Sequence, residues 1–215
     1  MSSRNAVVML ALTLFAPVTA HAQVVCLTGC PGVGNSLVPA CITLVGRSGA
    51  GVVDPAGTFV VVVRDLANNP RANALVRLDL NNAPDLHLCT TQQPGLIVSA
   101  VPGAMYIEGR SDAAGVFSTA LVGGSNGAGG ASTLFGGGRI FIDGTLAGSP
   151  TVSTYDLDGS GGVGINDLSV WLSDFGSSTA NGRSDYDCNS FNGINDLAIW
   201  LAAYGSSQSA VGCTP

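Results

Sequence analysis

Two aspartate clusters in the carboxy-terminal sixty residues have the spacing of ligands for a hard cation. The first segment reads DLDGSGGVGIND, from Asp156 to Asp167, and the second DYDCNSFNGIND, from Asp185 to Asp196. Oxygen-bearing side chains fall at positions 1, 3, 5 and 12 of each loop. They are Asp156, Asp158, Ser160 and Asp167 in the first loop, and Asp185, Asp187, Asn189 and Asp196 in the second. Position 7 offers a backbone carbonyl, from Gly162 and Phe191, and glycine at position 9 leaves room for a bridging water. Ca²⁺ takes about six to eight oxygen ligands, and three carboxylates with neutral donors in each loop suit it. Two bound Ca²⁺ ions are therefore expected. Position 6 needs a sharp turn, which Gly161 permits; in the second loop Ser190 stands there. A left-handed serine costs on the order of 1 kcal/mol, so the second loop is expected to be the weaker or more strained site.

Each loop runs into an apolar helical pattern, INDLSVWLSDF and INDLAIWLAAY. Leu168, Trp171 and Leu172 recur at i, i+3 and i+4, as do Leu197, Trp200 and Leu201. The leucines are expected to pack as the core of a very small domain, whereas Trp171 and Trp200 could also serve as surface anchors for a partner. The segments before the loops, TLAGSPTVST and SSTANGRS, are turn-rich, so each unit reads as loop then helix. This tandem pattern resembles the type I dockerin module over about sixty residues. The resemblance implies that the loop positions just named are calcium ligands. It further implies that loop positions 10 and 11, Ile165-Asn166 and Ile194-Asn195, meet a partner, a cohesin-like or other extracellular protein. The family usually carries hydroxyl residues at these two positions. Because the pair is the same in both repeats, the resemblance implies binding in two orientations.

Charge supports a cation rather than a nucleic acid. The chain has no lysine, and from Asp156 onward it carries seven aspartates against one arginine, Arg183. Residues 23 to 155 are close to neutral, and the net charge of the whole chain is −6. At the amino terminus, Arg4, the apolar stretch to Phe15 and Ala20-His21-Ala22 read as a signal peptide over residues 1–22, with no membrane span after cleavage. Export to an extracellular or cell-surface location suits the six cysteines. Pairing within each part is expected: Cys188 with Cys213, and Cys26, Cys30, Cys41 and Cys89 among themselves in one of three ways. One remaining histidine, His87, and no paired C-x-x-C spacing argue against zinc.

Residues 23–150 read as a mainly β domain, and 151–215 as a small α-helical one. Candidate strands are Ala40 to Val45, Thr58 to Asp65, Ala74 to Leu80, Leu96 to Val101, Met105 to Glu108, Val116 to Val122 and Arg139 to Thr145. In ALVRLDL, Val76, Leu78 and Leu80 share one face; in RIFIDG, Ile140 and Ile142 do. The run TFVVVV, from Thr58 to Val63, alternates least and is expected to be buried on both faces or to lie centrally in a sheet. Gly123 to Gly138 reads as a long loop. About seven antiparallel strands at this spacing predict a β-sandwich. FVVVVRDLANNPRANALVRLDL with the later GRSDAAGVFSTALVGG resembles the bacterial Ig-like domains of surface proteins, with Asn69 and Ser111 departing from the usual glycine and threonine.

These features favour a secreted, non-catalytic protein that attaches to a partner in a calcium-dependent way. A glycosidase would need two well-placed carboxyl groups, and Asp65 and Asp112 are expected to cap turns instead. His87 beside Cys89 could suggest a Cys–His pair, but an exported cysteine is expected to be oxidised. The alternatives are self-assembly into a surface array or fibre, or an accessory carbohydrate-binding role in polysaccharide breakdown. The latter would require Tyr106 and Phe135 to lie exposed together.

Overall fold

Period-two alternation decides which segments pair and which face turns inward. In the computed structural model, which describes residues 35–126, 137–177, 182–206, 209 and 211–213, the chain is mainly β. The strands are β1 (Cys41–Val45), β2 (Phe59–Val62), β3 (Leu75–Asp79), β4 (Leu86–Leu88), β5 (Ile97–Val101) and β6 (Ala104–Arg110). They continue with β7 (Val116–Thr119), β8 (Leu121–Ser125), β9 (Arg139–Ile142), β10 (Thr145–Gly148) and β11 (Thr151–Thr154). Two helices follow, α1 (Ile165–Asp174) and α2 (Ile194–Ser206).

A four-stranded sheet has the order β11-β1-β8-β4, a five-stranded sheet the order β10-β9-β3-β6-β5, and β2 and β7 form a ribbon. One apolar core joins all three: Val76, Leu78, Ile107, Ile140 and Ile142 from the larger sheet meet Ile42, Leu44, Leu121 and Val152 from the smaller, with Phe59, Val61 and Phe117 from the ribbon. The faces of ALVRLDL and RIFIDG are those the sequence implies. Asp65 and Asp112 cap their turns as expected: Asp65 Oδ1 accepts the Ala67 and Asn69 N–H groups, and Asp112 Oδ1 those of Ala114 and Val116.

The pairing differs from the expectation in several places. Val116 to Val122 divides at Ala120 into strands of different sheets, and Arg139 to Thr145 divides at a turn where Asp143 and Gly144 both have positive φ. The β4 strand is too short to show periodicity, and β11 lies in a segment that reads as turn-rich. β1 is parallel to both β8 and β11, so the smaller sheet is mixed rather than antiparallel. TFVVVV is neither central nor buried on both faces: β2 pairs with β7 and alternates, with Val61 buried and Val60 and Val62 half-buried. In the glycine-rich stretch, Gly123 to Ser125 belong to β8, while residues 127–136 lie outside the described residues. So do the signal-peptide segment, Cys26 and Cys30. Among the described residues, no helix is long and apolar enough to cross a membrane.

The disulfides correct the expected pairing. Cys41 bonds Cys188 and Cys89 bonds Cys213, so neither bridge lies within one part of the chain. The cause is β11. By pairing with β1 in the register Cys41↔Thr151 to Leu44↔Thr154, it delivers the first loop directly to the sheet. A boundary at residue 150 therefore falls just ahead of a strand that the β part needs. A second core spans both parts, with Val45 and Ala120 packed with Tyr155, Leu157, Trp171, Tyr186, Trp200 and Ala203.

Non-reducing peptide mapping is expected to recover Cys41 linked to Cys188 and Cys89 linked to Cys213, whereas a Cys188–Cys213 peptide would overturn this topology. The bridges close loops of 147 and 124 residues. Removing either by paired alanine substitution is expected to lower stability by roughly 2–5 kcal/mol in urea denaturation.

Candidate metal centres

The aspartate at position 12 of each loop organises its surroundings first. Asp167 Oδ2 accepts the Gly164 N–H at 2.6 Å, which caps α1, while Oδ1 accepts the Leu157 and Asp158 N–H groups at 2.6 and 2.8 Å. Asp196 repeats the set, with Oδ2 on Gly193 N–H and Oδ1 on Tyr186 and Asp187 N–H. One carboxylate thus ties the start of its loop to the start of its helix. At position 1, Oδ2 of Asp156 and of Asp185 accepts the N–H of position 6, Gly161 and Ser190 respectively. At position 3, Oδ1 of Asp158 and of Asp187 accepts the N–H of position 5.

These bonds converge the carboxylates. Asp156, Asp158 and Asp167 bring one oxygen each within 4.8 Å of one another, and Asp185, Asp187 and Asp196 do the same. Either triad could hold a metal ion. Of the neutral donors, Ser160 and Asn189 lie exposed beside their triads, while Gly162 is half-buried and Phe191 exposed at position 7. The amide oxygen of Asn189 accepts the Phe191 N–H.

Burial makes both clusters electrostatically expensive without a cation. Asp156 and Asp167 are 5% and 0% exposed, and Asp185 and Asp196 are as deep. Burial, with the Asp167 charge beside it, pushes the Asp156 carboxyl up to about 7. Burial pushes Asp167 up to about 6 against its backbone hydrogen bonds, and burial also raises Asp185. Arg183, the one arginine in this part of the chain, is committed elsewhere. It makes a two-pronged buried pair with Asp174, at 2.7 Å for both bonds. Asp156 Oδ1 is buried with no hydrogen-bond partner among the described residues. A carboxylate oxygen orphaned in this way fits a cation in the cluster.

The β part forms one wall of the first centre. A Cβ at Gly124 of β8 would lie 2.5 Å from Asp156 Oδ2, so only glycine leaves that carboxylate its place. Ser125 N–H donates to the Asp156 carbonyl. The carboxy-terminal segment straps the same loop: Gly212 N–H reaches the Gly161 carbonyl and Val163 N–H the Ser209 carbonyl. In the second loop, Asn192 N–H reaches Ser177 O just beyond α1. Thus the chain leaving each helix holds position 8 of the other loop.

Backbone conformation separates the two loops as the sequence implies. Positions 4 and 6 are left-handed in both, at Gly159 and Gly161 in the first and at Cys188 and Ser190 (φ 66°) in the second. Cys188 is held there by its bond to Cys41.

The helix faces correct the expected roles of the apolar residues. Trp171 and Trp200 are both 0% exposed, so neither can anchor a partner. Instead Leu172 and Leu201 point outward, 57% and 46% exposed. The rotation follows from position 12. Asp167 must face its loop, which puts Trp171 and Asp174, at i+4 and i+7, on the inner face; Asp196, Trp200 and Ala203 repeat this. Ile165, Leu172 and Phe175 are left outside, matched by Ile194, Leu201 and Tyr204. Asn166 and Asn195 are exposed beside them, and Asn195 Nδ2 reaches Asp187 Oδ2. The signal for this row was present in the sequence as an i, i+7 pair recurring in both repeats. Tyr106 lies under the Arg77 guanidinium at 3.7 Å, and Phe135 is outside the described residues.

Replacing Ser190 with glycine is expected to raise the thermal midpoint, with a gain on the order of 1 kcal/mol. The same change in reverse, Gly161→Ser, is expected to lower it. A pH series checks the buried carboxylates. Their folded pKa values lie above the ordinary 3.8, so they contribute stability that is fully present below about pH 4. That contribution is lost as pH rises through about 6 and 7, because the unfolded chain has already released those protons. In metal-free buffer the urea midpoint is expected to be lower at pH 7.5 than at pH 4.5. Compared with known proteins, the chain matches no family model, no curated protein and no solved structure, so its function is read from these two loops and their surroundings.

Proposed function

We propose that this is a secreted, non-catalytic calcium-binding protein whose dockerin-like loop–helix pair attaches to a protein partner, carried on an Ig-like β-sandwich. The observation that carries this reading is the duplicated triad of converging carboxylates, two of each three buried, with one Asp156 oxygen left unpaired. Asp156, Asp158 and Asp167 would hold one Ca²⁺, and Asp185, Asp187 and Asp196 the other. Ser160 and Asn189, with the carbonyls of Gly162 and Phe191, are the neutral donors. A bound Ca²⁺ neutralises carboxylates that the fold has taken out of water. The chain's own part is to bury, orient and strap those carboxylates, so that cation binding becomes folding free energy.

Attachment is supported by the outward row Ile165, Leu172 and Phe175 and its copy Ile194, Leu201 and Tyr204. Exposed apolar side chains repeated at equal spacing suit a protein partner, and Asn166 and Asn195 provide hydrogen bonds at the edge. Catalysis finds little support. Four of the eight carboxylates outside the loop triads, Asp79, Glu108, Asp143 and Asp174, are engaged in ion pairs with arginine. Cys89, which could have joined His87 in a nucleophilic pair, is in a disulfide.

Calorimetric titration of the folded protein with CaCl₂ is expected to show two binding events, and Asp156→Ala to leave one. EDTA is expected to lower the melting temperature sharply. Absence of heat, with melting unchanged by EDTA, would overturn the calcium reading. Size-exclusion chromatography with and without Ca²⁺ distinguishes a second copy of this chain from a different protein as the partner.

A further inference from the structure

We infer that β5, the open edge of the five-stranded sheet, pairs antiparallel with β5 of a second copy of this chain. β5 ends the order β10-β9-β3-β6-β5, and among the described residues β6 is its one neighbour. β6 turns the Met105 backbone groups toward β3: Met105 N–H donates to Asn81 Oδ1, and its carbonyl accepts the Leu80 N–H. Ala104, Tyr106 and Glu108 therefore face β5 and take up the backbone groups of Val101, Ser99 and Ile97. The N–H and C=O groups of Val98 and Ala100 then point away from β6, toward the open edge. Such a row is a template for another strand. The other edges of the two sheets are closed. β4 is three residues long and has the carboxy-terminal segment against it through Cys213. β11 is buried beneath the second loop, where Tyr186 Oη donates to the Thr154 carbonyl. β10 is broken by a register shift between Leu146 and Gly148. β5 has none of these guards and no charged residue: it reads IVSAV, with Ile97 and Val101 60% and 62% exposed.

The strand is complementary to itself. With a two-fold axis at Ser99, Val98 lies opposite the second copy's Ala100, and their outward N–H and C=O groups match in reciprocal pairs. On the outer face Ile97 meets the second copy's Val101 on either side of the axis, and the small Ser99 side chains face each other. These contacts cover both exposed apolar residues of the edge. An axis at Val98 would instead set Val101 against Gly95, and one at Ala100 would set Val98 against Pro102, which has no N–H. Glu108, the carboxylate beside Ile97, is already paired with Arg77, so it adds no like charge to the seam. Once β5 is used in both copies no open sheet edge is left, and assembly stops at a dimer. The pairing does not involve the loops and does not depend on their cation reading.

Sedimentation velocity over a concentration series is expected to show a reversible monomer–dimer equilibrium. Ala100→Pro removes a donor that β6 does not use, so the fold is kept while dimerisation weakens at least about tenfold. Ser99→Lys sets two ammonium groups opposite each other on the axis and should do the same with the backbone donors intact. Thiol cross-linking under mild oxidation reads the register. Ser99→Cys should give a disulfide-linked dimer, since facing residues of a non-hydrogen-bonded pair lie about 4.5 Å apart at Cα. Ile97→Cys should link to Val101→Cys in a mixture, and not to itself. A monomer at every concentration, a dimer unaffected by both Ala100→Pro and Ser99→Lys, or self-linking of Ile97→Cys in place of Ser99→Cys would each overturn the pairing.

Discussion

A single carboxylate at the last position of each loop fixes most of what surrounds it. Asp167 and Asp196 each accept N–H groups from the head of the loop and from the residue that caps the following helix. Because that side chain must face inward, the helix has one permitted rotation about its axis. Trp171 and Trp200 then fall on the inner face, and the i, i+7 residues Ile165 with Leu172 and Ile194 with Leu201 fall outside. Loop closure, helix start, core and exposed row are thus consequences of one hydrogen-bonding pattern, made twice.

That pattern would be marginal on its own, since a unit of about sixty residues buries little apolar surface. The chain solves this by sharing structure with the β part. β11 enters the smaller sheet beside β1, and Val45 and Ala120 contribute to the core around the tryptophans. Cys41–Cys188 pins the second loop, and Cys89–Cys213 pins the strap that crosses the first. Ser209 ends that strap in a buried hydrogen-bond chain, donating to Asp54 and accepting from Gly46 N–H. The loops are held from outside as much as by their own turns.

Such external support has an electrostatic consequence. Burying carboxylates beside one another costs free energy when they ionise, which is why Asp156 and Asp167, and in the second loop Asp185, resist deprotonation. A structure that bears this cost in both loops could hold a cation at each. Relief of that cost would be transmitted to the sheet through Gly124 and Ser125, which touch Asp156.

The convergent spacing of the aspartates, the duplicated repeat, the strand faces of Val76 to Leu80 and the aspartate-capped turns were all legible in the sequence, because each depends on neighbours within one turn or strand. The left-handed Ser190 was legible for the same reason, as a loop position that demands positive φ whatever occupies it. Other features depend on contacts between residues far apart in the chain. The parallel pairing of β1 with β11, the short β4 and both disulfides are of this kind. Periodicity identified an apolar stripe on each helix but could not say whether tryptophan or leucine would face inward. Only the fixed direction of Asp167 and Asp196 in the folded loops decided that. Local sequence determined the chemistry of this protein; long-range packing decided which side chains it buries and which it presents.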